Sequence, residues 1–121
     1  MGTQIHRHLL CVGCSILAIG SAMAADTLSP QQISQLWMGK TMVGKTADGE
    51  PLTVRFNTDG SAEIHVGKMQ DTGHWRLSDT GYCLTWTRLR GGKERCLTAQ
   101  RDGDGYQTFI DGKLSAEFKP E

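Results

Sequence analysis

The chain has 121 residues, 38% hydrophobic and 21% charged, with thirteen Lys and Arg matched by thirteen Asp and Glu. This is the size and make-up of one ordinary globular domain. The charge balance argues against a nucleic-acid or polyanion binder, whose affinity comes from excess basic residues. No apolar run approaches the ~20 residues of a helical membrane span.

Arg7, flanked by His6 and His8, precedes the eleven-residue apolar stretch Leu9–Ile19, and Ala22-Met23-Ala24 puts small residues where a signal peptidase requires them. Residues 1–24 therefore read as a cleaved signal peptide, with the mature domain at 25–121 in the periplasm or outside the cell. The C-x-x-C of Cys11 and Cys14 falls within the segment removed. Cys83 and Cys96 remain, and an even pair in an oxidising compartment is expected to form a disulfide.

Ser29-Pro30-Gln31-Gln32 is a helix start, with a capping serine, a proline suited to the first turn and the glutamine of a capping box. Ile33, Leu36 and Trp37 share one face, and Gly39 stops the helix, which is expected at about residues 30–38. So short a helix must dock its apolar face to persist.

After Gly39, turn signals recur about every 8 to 12 residues, the rhythm of an all-β sandwich or barrel. They stand at Asp48-Gly49, Asp59-Gly60, the Lys68 to Asp71 segment, Thr80-Gly81, Gly91-Gly92, Asp102-Gly103 and Asp111-Gly112. Between them one face is apolar: Leu52, Val54 and Phe56; Ala62, Ile64 and Val66; Trp75 and Leu77; Leu84 and Trp86; Leu97 and Ala99; Leu114, Ala116 and Phe118. Eight hairpin-linked strands with one apolar face bury it and lose both edges by closing. The expected fold is thus all-β, an eight-stranded antiparallel up-and-down barrel preceded by one short helix, with a two-sheet sandwich as the alternative. Cys83 and Cys96, on the two strands joined by the Arg88 to Lys93 loop, are expected as opposite or diagonal neighbours stapling that hairpin.

Barrels of this size either fill their interior or hold one small ligand. In the second case Trp75, Trp86, Phe56 and Phe118 line a cup for a small apolar or aromatic molecule, with Trp37 near its lid; in the first they are core. Arg88, Arg90, Lys93 and Arg95 gather positive charge at one hairpin tip, a candidate docking loop for an acidic envelope partner. His65 and His74 face each other if their hairpin turns near Met69-Gln70, but a solvated pair is the simpler reading and no metal is expected. Asp102-Gly103-Asp104-Gly105 lacks the fifth-position oxygen ligand of a calcium loop, where Tyr106 stands. There is no H-E-x-x-H, no G-x-S-x-G and no phosphate-cradling loop, and the acidic residues fall mostly at turns or on outward positions. A non-enzymatic protein without a cofactor is the expectation.

The helix end Leu36-Trp37-Met38-Gly39-Lys40-Thr41, the hairpin Phe56-Asn57-Thr58-Asp59-Gly60, the Gly73-His74-Trp75 strand, Tyr82-Cys83-Leu84-Thr85-Trp86 and the returning Cys96 together resemble a family of small secreted proteins of Gram-negative bacteria with a lipocalin-like barrel. The resemblance implies fold and compartment, and it covers nearly all of the mature chain. In outline the chain is also similar to periplasmic protease and lysozyme inhibitors, which implies the alternative function of presenting loops to a protein partner.

Overall fold

The computed structural model describes residues 26–121, so the expected signal peptide lies outside the described residues. Helix α1 (Pro30–Trp37) begins as its sequence dictates. The Ser29 hydroxyl accepts from the Gln32 backbone N–H at 3.2 Å, and the Gln32 side chain accepts from the Ser29 N–H at 2.8 Å. Ile33 and Trp37 are fully buried, and the preceding Leu28 is held by its N–H on the Ala99 carbonyl at 2.9 Å.

Eight strands follow: β1 (Thr41–Thr46), β2 (Pro51–Phe56), β3 (Ser61–Val66), β4 (Met69–Leu77), β5 (Tyr82–Trp86), β6 (Arg95–Asp102), β7 (Gly105–Ile110) and β8 (Lys113–Pro120). Each pairs antiparallel with the next. β1 also pairs with β8, Gly44 opposite Phe118, and the sheet closes into the expected barrel.

One turn lies elsewhere than the sequence reading places it. β3 and β4 are joined by Gly67-Lys68, with Gly67 at φ +58°, and Met69 to Asp71 already belong to β4. Primed two-residue turns need a positive φ and match the twist of the flanking strands, so glycine sets the hairpin here. The correction separates the histidines: His65 is opposite Gln70, while His74 is opposite Ser61.

The alternating apolar residues form the barrel interior, together with Met42, Tyr82 and Tyr106. Two of the expected inward residues are instead exposed, Leu77 at 37% and Leu114 at 36%. Leu77 pairs with Tyr82 at the last rung of its hairpin, beyond the packed wall. Leu114 is displaced by a register shift, since Thr108 faces Ala116 while Phe109 faces Leu114, leaving Ser115 as an extra residue. A bulge of this kind re-aims side chains on its strand.

Cys83 and Cys96 stand directly opposite each other and are bonded. They tie β5 to β6, whose pairing extends over only Tyr82, Cys83 and Leu84 with Leu97, Cys96 and Arg95. The covalent link thus reinforces the shortest ladder of the barrel, and closing a loop of this length contributes up to roughly 3 kcal/mol.

Candidate functional site

The two ends of the barrel differ. At one, α1 lowers Trp37 into the opening. Its ring lies 5.4 Å from Phe56, 5.1 Å from Tyr82, 5.4 Å from Tyr106 and 5.1 Å from Phe118, centroid to centroid. Trp75 extends the cluster at 5.5 Å from Phe56, and its indole N–H donates to the Asn57 carbonyl at 2.9 Å. Of the four residues expected to line a cup, Trp75, Phe56 and Phe118 therefore stand in a packed aromatic plug with Trp37, the residue expected near its lid. Trp86 alone of the five reaches the opposite end.

That opposite end is open. A cavity of about 1000 Å³ lies between the β1–β2 loop, the start of β4, the β5–β6 loop and the start of β8. Ile64, Val66, Trp86, Leu89 and Leu114 supply its apolar surface. Beneath it is an inner void of about 70 Å³, bordered also by Tyr82 and Thr108. Thr46, Ile64, Trp86, Arg90 and Ser115 border both spaces and so form the neck between them.

The β5–β6 loop is held over this mouth by a buried carboxylate. Asp71 shares the inward parity of Trp75 on β4 and is 5% exposed. One of its oxygens accepts from the backbone N–H groups of Arg88 and Leu89, each at 2.9 Å, and the other accepts from the Thr72 N–H at 2.9 Å. The Arg88 guanidinium lies 3.8 Å away and donates to the Gln70 carbonyl. The Leu89 N–H foremost, then those of Arg88 and Thr72, outweigh desolvation and hold the Asp71 carboxyl below its ordinary range.

A carboxyl with a lower pKa in the fold than in the unfolded chain contributes stability above the unfolded value of about 3.9, and this is lost as pH falls through the depressed folded value. Hydrogen exchange should accordingly show the Arg88 and Leu89 amides protected near neutral pH and released on acidification. In Asp71→Ala they should be unprotected at every pH while the β2 and β3 amides keep their protection. Equal protection of the two amides in both proteins would contradict this role.

Arg90 occupies the short 3-10 turn Leu89–Gly92 with φ +56° and ψ +30°. From there its guanidinium donates to the Ser115 hydroxyl across the neck at 3.1 Å. Desolvation by the surrounding loop, with a smaller part from the like charge of Arg95, lowers its pKa. Tyr82 lies below, its hydroxyl against Thr108, and burial raises its pKa far enough to keep the phenol neutral.

The other basic residues of the expected docking loop are dispersed. Arg88 is spent on Asp71 and Gln70, Arg95 lies 3.7 Å from Asp111, and Lys93 points to solvent. Among the described residues one trio of metal-ligating side chains comes together, Cys83, Glu94 and Cys96, and its two sulfurs are joined in the disulfide. Glu94 is instead paired with Arg76 through two hydrogen bonds of 2.9 and 3.0 Å.

Sequence reasoning did not find Asp71, Tyr82, Thr108 or Ser115. Tyr82 was readable, since it alternates with Leu84 and Trp86. Asp71 would have been, had the turn been placed at Gly67-Lys68. Nothing in the local sequence marks the bulge that turns Ser115 to the neck. Comparisons with protein-family models, with curated proteins and with solved structures find no match.

Proposed function

We propose that this protein is a non-enzymatic, exported binding module of the lipocalin-like secreted type, which takes one small apolar or aromatic molecule in the open mouth of the barrel. The observation that carries the reading is the asymmetry of the two ends. Trp37 plugs one, while the other keeps a cavity of about 1000 Å³ walled by Trp86, Leu89, Val66 and Leu114. Ligand sites are concave and join apolar surface to polar groups that fix orientation, and this mouth sets its apolar residues beside Asp48, Glu50, Lys68, Arg88 and Arg90. The inner void of about 70 Å³ is too small for such a molecule, so the ligand rests on Trp86 rather than passing into the barrel. The export assignment is supported by the pattern of residues 1–24 and by a disulfide of the sort that persists in oxidising compartments.

Presentation of the β5–β6 loop to a protein partner is the less favoured reading. Two of the four basic residues it would use, Arg88 and Arg95, face carboxylates of the chain, and Arg90 is turned to the neck. Native mass spectrometry with a panel of compact aromatic molecules tests the preferred one. One-to-one adducts are expected, and Leu89→Asp, which charges a half-buried residue of the cavity wall, should lose them. Absence of adducts across the panel, or adducts indifferent to Leu89→Asp, would overturn the proposal.

A further inference from the structure

We infer that the ligand of the mouth is a carboxylate on a compact apolar or aromatic body, and that the Arg90 guanidinium and the Ser115 hydroxyl hold its charged group at the neck. The inference rests on the reading of the mouth as a ligand site and adds the chemistry of the ligand.

Three observations converge on Arg90. The first is its charge balance. None of the ion pairs among the described residues includes Arg90, although Arg76, Arg88 and Arg95 each face a carboxylate. The nearby buried acid, Asp71, already accepts from three backbone N–H groups. A guanidinium that faces no carboxylate of its own chain is free to pair with one from a ligand.

The second is placement. Arg90 borders both the outer cavity and the inner void, and its bond to Ser115 spans the neck. It leaves further N–H donors in the planar fork that matches a carboxylate. Apolar surface from Trp86 and Leu89 adjoins it, so a head group at the neck leaves the ligand body on the cavity wall.

The third is the backbone. The turn has glycines at positions 91 and 92, both at positive φ, yet a left-handed residue beside them is an arginine. Residues with a Cβ seldom adopt this conformation, and its persistence accompanies functional placement of a side chain. The bulge at Ser115 meets it from β8.

Charges of both signs line the cavity. Asp48 and Glu50 border the same cavity on the β1–β2 loop, and neither is paired with Arg90. Lys68 and Arg88 border it as well, and of these five charged residues Arg90 alone also borders the inner void.

Isothermal titration with 2-naphthoate and with its neutral isostere 2-naphthamide tests the inference. The wild-type chain should prefer the carboxylate by about ten-fold, as one charge-assisted hydrogen-bonded contact implies. Arg90→Met should lose the preference and still bind the amide. Arg90→Gly should do the same while melting no lower than wild type, because glycine is at ease at positive φ, so a folding defect cannot explain the loss. Lys113→Met, which removes an exposed charge at the same end of the barrel, should keep the preference.

Equal binding of both compounds, unchanged in Arg90→Gly, would overturn the anion inference and leave the mouth as an apolar site. A preference lost equally in Lys113→Met would overturn it too, assigning the effect to net charge. Binding of neither compound by the wild-type chain would overturn the ligand-site reading along with it.

Discussion

Replacing Trp37 by alanine is expected to lower stability by about 3–5 kcal/mol, the cost of emptying a large buried aromatic site. The residue is fully buried and its ring touches four others, from β2, β5, β7 and β8. It therefore joins α1 to opposite walls of the barrel. Its indole N–H is buried without a hydrogen-bond partner among the described residues. A buried donor left unmade costs about 1–3 kcal/mol, so Trp37→Phe, which keeps a ring and removes that donor, should lose far less than Trp37→Ala. Urea unfolding of the three proteins at matched slopes measures the difference. An alanine variant within about 1 kcal/mol of wild type, the range of an ordinary surface change, would show that the plug is not what closes this end.

The second large effect is expected at Gly44. A Cβ there would meet the Glu117 carbonyl oxygen at 1.9 Å and the Phe118 Cα at 2.6 Å, both backbone atoms of the partner strand. Relief requires β1 and β8 to separate, and their pairing is the seam that closes the barrel. Gly73 is placed alike against Thr85 on β5, its Cβ direction filled at 2.2 Å. Small closed barrels need such positions, where absence of a side chain lets a strand bend toward its neighbour. Gly44→Ala should cost about 1–3 kcal/mol or more, as overpacking does. It should also expose the amides of β1 and β8 to hydrogen exchange before those of β2 and β3. Lys45→Ala, one residue along and exposed, should change stability by no more than about 0.5 kcal/mol. Comparable losses at the two positions would contradict a steric role for Gly44.

The architecture was legible because its causes are local. Ser29 and Gln32 cap a helix wherever the tertiary structure puts it, and period-two alternation between turn signals leaves a meander little choice but to close. The disulfide followed from two cysteines placed evenly about one loop. What escaped was set by single-residue shifts in register. Reading the β3–β4 turn at residues 68–71 instead of Gly67-Lys68 hid the inward parity of Asp71, and with it the carboxylate that organises the mouth. The Ser115 bulge broke an alternation that Leu114, Ala116 and Phe118 made convincing. The aromatic residues were rightly placed inside, but their periodicity holds no information about which end of the barrel they occupy. Only the docking of Trp37 decides that, and it turns three expected lining residues into a plug. Arg90 was read with its basic neighbours as surface charge, whereas a left-handed backbone and a bulged partner strand direct it to the neck.

The central claim, that one end is sealed and the other receives ligand, is tested most directly by the three tryptophan indole N–H signals in a nitrogen–proton correlation spectrum titrated with 2-naphthoate. Trp37 and Trp75 belong to the plug, and Trp86 borders the open cavity. The Trp86 signal should move saturably while those of Trp37 and Trp75 stay in place. Movement of Trp37 and Trp75 with Trp86 unchanged would put the ligand at the sealed end and contradict the account.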